Sequence, residues 1–219
     1  MPYKTTVINL GGINCYLINT NVGFLLIDTG VSTKRFQLLA EFEKAGCNKG
    51  DLKLIIITHG DFDHTGNAQY LRENFGAPIA MHPDDMGMVE QGNMGWNRKA
   101  KPDRMSLVMK AMSLLVKIVA KKRFMTFKPD LALDESFDLH KYGLDAEVVL
   151  LPGHSKGSIG ILTSIGDLFC GDFLYNFPGL TFIDDLSAHD ESMKKMRALS
   201  PKIVYPGHGK AFAANRAIS

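Results

Sequence analysis

The run Leu52-Lys53-Leu54-Ile55-Ile56-Ile57 constrains the fold more than any other stretch of this chain. It is short, β-branched and almost free of polar alternation, which predicts a strand covered on both faces rather than one with a wet side. Such a strand needs a layer above it and a layer below it. The run stops at Thr58, and a cluster of histidine and aspartate follows at once, His59-Gly60-Asp61-Phe62-Asp63-His64-Thr65-Gly66.

The flanking sequence supplies candidates for those layers. Thr5–Leu10, Ile13–Ile18 and Gly23–Ile27, separated by Gly11-Gly12 and Asn19–Asn21, read as strands of a meander with tight turns. Ser32 is expected to cap a helix running to about Ala45, with Phe36, Leu39, Ala40 and Phe42 on its apolar face. Thr65–Phe75 reads as a helix stopped by Gly76, and Pro78–Met81 as a short strand. Ala146–Leu151, Ser158–Thr163, Leu168–Cys170 and Lys202–Tyr205 are strand-like; a helix is expected near Asp190–Leu199 and a short helical tail after Lys210. These halves predict an α+β fold, two sheets packed together with helices outside. At 219 residues, 45% hydrophobic and without a Pro/Ser/Gly-rich linker, the chain reads as one domain, 1–219. Its first residues lack an apolar signal core, and Cys15, Cys47 and Cys170 are odd in number and widely spaced. The expectation is a cytoplasmic protein with no disulfide scaffold and no transmembrane segment.

Three later places repeat one pattern, an apolar strand and then a small turn with one metal-binding side chain. They are Val148–Leu151 before Pro152-Gly153-His154, Leu168–Cys170 before Gly171-Asp172, and Ile203–Tyr205 before Pro206-Gly207-His208. A lone histidine is ordinarily a surface or satisfied core residue; the weight lies in the joint pattern of loop-borne ligands on strand ends. Imidazole mixed with carboxylate suits zinc, iron or manganese, and no cysteine pair is present for a structural zinc site. Gly157-Ser158 lacks the Gly-x-Ser-x-Gly setting of a serine nucleophile. His82, His140 and His189 fall outside the pattern and read as structural or surface residues.

With these residues in place, the chain resembles the metallo-β-lactamase superfamily along nearly its whole length. The signature His-x-His-x-Asp-His stands here as His59-Gly60-Asp61-Phe62-Asp63-His64. The resemblance implies a four-layer αβ/βα sandwich of two mixed sheets, with two divalent metal ions at the edge between them. It implies that His59, position 61 and His154 bind one ion, that Asp63, His64 and His208 bind the other, and that Asp172 bridges them. Asp28 matches an aspartate that supports the metal loop without touching metal. It also implies hydrolysis of a small-molecule substrate at an ester-type bond (thioester, lactone, ester or phosphodiester) by a metal-bound hydroxide, which Asp63 would orient and whose proton it would pass on. Tyr175 and Asn176 follow Asp172 closely enough to reach substrate. Position 61 departs from the pattern, with Asp for the second His. Asp61 is expected to ligate through oxygen; three carboxylates would then bring the centre near neutrality and favour iron or manganese beside zinc. A carboxylate here also resembles the flavodiiron proteins, which makes a diiron oxidoreductase with a separate electron donor the alternative; a non-catalytic metal sensor is a third reading.

Residues 84–128 form an insertion of different character. Arg98–Lys128 carries ten basic residues against the single acid Asp103, although the whole chain is only +2. Seven of the eleven methionines lie in 84–128. Arg104–Lys122 can form a helix with a narrow polar stripe, too lysine-rich to span a membrane. A lid facing an anionic, amphiphilic substrate, a homodimer interface and contact with an anionic membrane surface are the functional readings. Without interleaved aromatics the block gives no reason to expect specific nucleic-acid binding.

Overall fold

A computed structural model of the chain describes residues 3–110, 125–177, 179 and 181–215. The expected meander is there as β1 (Lys4–Asn9), β2 (Asn14–Asn19) and β3 (Phe24–Ile27), each antiparallel to the last. Then α1 (Arg35–Ala45) carries the chain back, and β4 (Leu52–Ile57) lies parallel to β3. After α2 (Phe62–Thr65) and α3 (Ala68–Phe75) comes β5 (Ile79–Met81), parallel to β4. Next follow α4 (Pro83–Gln91), β6 (Arg104–Met105) and β7 (Leu131–Ala132), the last parallel to β5. The second half supplies β8 (Ala146–Leu150), β9 (Ile159–Thr163), β10 (Asp167–Gly171), β11 (Phe182–Ile183), α5 (Leu186–Leu199), β12 (Ile203–Pro206) and β13 (Phe212–Ala213). One mixed sheet runs β1-β2-β3-β4-β5-β7, the other β13-β12-β10-β9-β8, and β6 pairs with β11 apart from both.

The period-two geometry of β4 accounts for the layering. Ile55 and Ile57 face one way and pack with Leu38, Phe42 and Leu71 from the helices. Leu54 and Ile56 face the other way and meet Val148, Ile159, Ile161 and Phe169 of the second sheet. Beyond that sheet, Met196 of α5 packs on Val149, Leu151, Leu168 and Val204. The four layers are therefore helix, sheet, sheet, helix, as the apolar run requires.

Several local expectations need correction. Phe36 is 88% exposed, because α1 turns Leu38 and Phe42, not Phe36, into the core. Ser32 begins a short 3-10 turn, and no side chain caps α1. The Thr65–Phe75 helix is divided near Gly66-Asn67, where the Asn67 amide donates to the Thr29 and Val31 carbonyls. After Lys210 the chain first pairs Phe212–Ala213 with β12 as β13, which the reading missed; Asn215 is helical, and the rest of the expected helical tail, 216–219, lies outside the described residues. In the insertion, Arg104–Met105 is strand rather than helix start; 107–110 is helical, and the rest of the expected helix, 111–124, lies outside the described residues. No described helix is long and apolar enough to cross a membrane.

Candidate metal centre

The parallel strands end on one side, and their carboxyl ends carry the chemistry. Asp28 follows β3 with φ 57°, a conformation aspartate tolerates better than most residues. Its Oδ1 accepts from Thr58 N (2.9 Å); its Oδ2 accepts from Thr58 Oγ1 (2.8 Å) and His64 Nδ1 (2.8 Å). These bonds dictate two tautomers. His64 gives its Nδ1 proton to Asp28, which leaves Nε2 bare. Thr58 has one hydroxyl proton and spends it on Asp28, so its 3.0 Å contact with His59 Nδ1 must be donated by the ring, and His59 Nε2 is bare as well.

The other two histidines follow the same rule. His208 Nδ1 donates to the Gly12 carbonyl at 2.9 Å. His154 Nδ1 faces the Phe182 carbonyl at 3.3 Å, which can only accept, and the Tyr175 hydroxyl at 3.0 Å. Four imidazoles thus turn Nε2 inward, as metal-binding histidines do: His59 and His64 with no hydrogen-bond partner there, His154 with Asp61 Oδ2 at 3.0 Å.

Three carboxylates meet them. Asp172 places Oδ1 3.4 Å from His64 Nε2, and Oδ2 3.4 Å from His208 Nε2 and 4.0 Å from His59 Nε2. Asp63 Oδ2 lies 3.8 Å from His64 Nε2 and 3.6 Å from His208 Nε2. Asp61 Oδ2 lies 3.0 Å from His154 Nε2 and 3.6 Å from His59 Nε2. Ligands bonded at roughly 2.1 Å to one tetrahedral ion stand about 3.4 Å apart, so these spacings suit shared ions. Two clusters emerge, His59 with His154 and Asp172, and Asp63 with His64 and His208. A third grouping, Asp28 with His59 and His64, uses Asp28 oxygens already bonded to Thr58 and His64 and is a supporting network. His59 Nε2, His64 Nε2 and Asp172 Oδ1 are buried without any hydrogen-bond partner. Such orphans cost about 1–3 kcal/mol each, and an ion at each cluster would satisfy all three. The donor set fits two divalent ions.

The charges agree. Burial pushes the Asp172 pKa up, but His208 and His64 outweigh it and hold the carboxyl well below its usual range. Burial likewise opposes a charged His208 ring, yet Asp172 and Asp63 raise it to about 10. His64 is raised well above its ordinary value: burial again opposes the charge, and Asp172, Asp28 and Asp63 overcome it. Protons and metal ions therefore compete for the same inward nitrogens. The backbone makes room at two glycines. A Cβ on Gly207 would collide with Asp172 Oδ1, and one on Gly171, at φ 51°, with Thr58 Oγ1.

All seven expected ligands and Asp28 are brought together. Tyr175 reaches the centre through His154, and the Asn176 amide is engaged by the Lys210 carbonyl at 2.8 Å, beside His208. His82 lies at the start of α4, His140 is exposed, and His189 packs on Phe173, all away from the clusters. Two residues escaped the sequence reading. Asp85, fully buried, accepts from Gly60 N (3.0 Å), Gly157 N (2.8 Å) and Ser155 Oγ (2.6 Å), tying the metal loop to the loop after His154. Arg98 pairs with Asp61 and so adds a positive charge that the expected neutral centre left out. Neither carried a signal: Asp85 looks like an acidic first helical turn, and Arg98 is one cation among many.

Two sheets with helices outside and a two-cluster centre at their edge define the class of dinuclear metal-dependent hydrolases. Residues 8–208 match the family model of the metallo-beta-lactamase superfamily, and the chain belongs to that superfamily. It is similar to the atrochrysone carboxyl ACP thioesterase of Aspergillus fumigatus (26% identity over 91% of this chain), although it spans only 51% of that protein. It is also similar to the hydroxyacylglutathione hydrolase GloC of Haemophilus influenzae, 31% identical over 74% of this chain and 66% of the relative. Among solved structures, TTHA1623 in a di-iron-bound form superposes with a TM-score of 0.66 at 28% identity, covering 97% of this chain and 95% of that one.

Proposed function

We propose that this chain hydrolyses an ester-type bond in a small molecule, with thioesters the first class to test and lactones, esters and phosphodiesters after them. The observation that carries the reading is the convergence of four inward Nε2 atoms and three carboxylates, with His59 Nε2, His64 Nε2 and Asp172 Oδ1 buried and unpartnered. We assign His59, Asp61 and His154 to one ion, Asp63, His64 and His208 to the other, and Asp172 to both. When bound, the ions supply Lewis acidity and a water acidified enough to attack at neutral pH. The protein's part is orientation and proton handling. Asp63 is the most exposed of the three carboxylates (23%), so it is the one that can orient an entering water and accept its proton. Asp172, reaching both clusters, fixes their spacing. The names of two relatives, a thioesterase and a hydroxyacylglutathione hydrolase, support an acyl substrate.

Zinc is the first metal to test, with iron or manganese in place of it; the di-iron-bound neighbour supports iron. That neighbour and the carboxylate at position 61 also favour a second reading, a diiron oxidoreductase fed by a separate electron donor. Segment 84–128 would serve as a lid over an anionic, amphiphilic substrate, with homodimer or membrane-surface contact as the other roles. Metal quantification on purified protein, followed by a panel of thioesters, lactones, phosphodiesters and β-lactams, tests the proposal. Two ions per chain and turnover abolished by His59→Ala or Asp172→Ala are expected. Retained turnover in either variant refutes the mechanism, and oxygen or nitric oxide consumption without hydrolysis favours the second reading.

A further inference from the structure

The guanidinium of Arg98 lies where a cation is least expected, beside a cluster built for a metal ion. Its side chain is only 8% exposed. Nη1 donates to Asp61 Oδ1 at 2.7 Å and Nη2 to Oδ2 at 3.2 Å, a two-point pair that fixes the carboxylate plane. Nη1 also donates to the Met94 carbonyl at 3.2 Å, and the guanidinium carbon lies 5.1 Å from the centre of the Phe182 ring. The backbone beyond it is pinned too. Lys99 N donates to both oxygens of buried Asp184 (3.1 and 3.2 Å), and Asp184 N donates to the Gly153 carbonyl, one residue before His154. Arg98 is built into the centre.

A buried arginine next to a divalent ion is unfavourable unless a carboxylate compensates it. Here the compensating carboxylate is the residue that stands in for the family's second histidine. Held by Arg98, Asp61 still turns Oδ2 toward His59 Nε2 and His154 Nε2. The pair therefore offers what a neutral imidazole offers, one inward donor atom and no net charge. We propose that Asp61 and Arg98 act as a single unit, a charge-neutral oxygen donor that replaces an imidazole in the His59/His154 cluster. Arg98 is the positioning residue of that unit: it orients the carboxylate and cancels its charge, so the two-ion centre keeps the positive charge it would have with histidine. This rests on the metal-site reading above.

The consequence runs against intuition. Asp61→His restores the family signature, yet it strands the Arg98 cation beside the ion. The test is ion stoichiometry and affinity by competition with a chromophoric chelator, using zinc, on wild type, Asp61→His and Asp61→His/Arg98→Met. We expect two ions in wild type. In Asp61→His one ion should be weakened on the order of 10–100-fold, the range for losing an outer partner of a ligand. The double variant should regain two ions within about twofold of wild type. Asp61→His binding both ions as tightly as wild type overturns the proposal, and so does a double variant no better than the single. If the single variant does not fold, the double variant decides alone: wild-type affinity supports the unit and weaker binding overturns it. A wild-type protein that binds no ion would instead sink the metal-site reading itself.

Discussion

Asp28→Asn is the sharpest probe of the tautomer network. Asparagine tolerates the φ of 57° and matches the size of aspartate, so the change isolates hydrogen bonding from backbone strain. The carboxamide has two ways to sit. With its oxygen toward Thr58 N, its NH2 faces Thr58 Oγ1 and His64 Nδ1, both of which now donate to Asp28. Both must become acceptors: His64 moves its proton to Nε2, while Thr58 donates to His59 Nδ1 and sends that ring's proton to Nε2. The Nε2 atoms of His59 and His64 are then both capped by hydrogen. Turned the other way, the NH2 confronts the buried Thr58 N–H and leaves it unsatisfied. Either arrangement costs the ion-loaded state about 1–3 kcal/mol, roughly 5- to 150-fold in affinity at about 1.4 kcal/mol per decade. This agrees with the 10–100-fold range, on the order seen when an outer partner of a ligand is removed. Both ions should weaken, because His59 serves one cluster and His64 the other. Chelator competition on wild type and variant, with thermal unfolding of the ion-free forms as a folding control, makes the measurement. An Asp28→Asn protein that holds both ions within about twofold of wild type would refute the tautomer argument.

Three further outcomes follow from the same geometry. Gly207→Ala keeps all seven candidate ligands but drives a methyl into Asp172 Oδ1, so ion content should collapse in a protein that still shows native circular dichroism; an unchanged ion count would contradict the packing. Asp85→Ala strands Gly60 N and Gly157 N in the interior, leaves Ser155 Oγ only its bond with Ser158 Oγ, and should destabilise the chain by about 2–6 kcal/mol in urea unfolding, with Asp85→Asn in between. In the ion-free protein, burial opposes a charged His208, but Asp172 and Asp63 lift its pKa from 6.5 to about 10. Because the folded value is the higher one, this stability is fully present below pH 6.5 and is lost as pH rises through about 10. The melting temperature of chelated protein should therefore fall over that window, and the fall should be smaller in His208→Gln.

What could be read from the sequence was local, or was fixed by a single strong pattern. The unalternated β4 run required layers on both faces, and the cores on its two sides are those layers. The His/Asp cluster and the three strand-turn-ligand repeats marked all seven candidate ligands, because each group of them follows a strand whose apolar pattern is plain. Elements settled by distant partners were illegible. Phe36 has the right spacing for an apolar face, but the direction of the core is set by Leu38 and Phe42 against α3 and β4. The chain after Lys210 pairs as β13 because β12 presents a free edge, which no local pattern announces. Asn67 interrupts a helix-like stretch through carbonyls more than thirty residues upstream.

Asp61 and Arg98 show why the charge of a centre cannot be summed over its ligands alone. The motif contains Asp61, and counting carboxylates makes the site neutral; the partner that alters the sum lies 37 residues away in a segment whose composition suggests a loose, cationic lid. That segment is not loose where it matters. Its beginning is bound to the metal loop through Asp85 and Gly60, and farther along it is bound through Lys99 and Asp184 to the loop that precedes α5. Lys99 is in turn neutralised by Asp103 and Asp185, so the block's charge is partly spent on docking instead of facing solvent. Deleting residues 87–127 would thus do more than open a lid. It would remove Arg98, leave the Asp61 carboxylate uncompensated beside His59 and His154, and remove Met88 from its packing on Gly60. A deletion variant that kept wild-type ion affinity would show that the segment merely covers the site, whereas altered affinity at the His59/His154 cluster would show that the segment helps to build it.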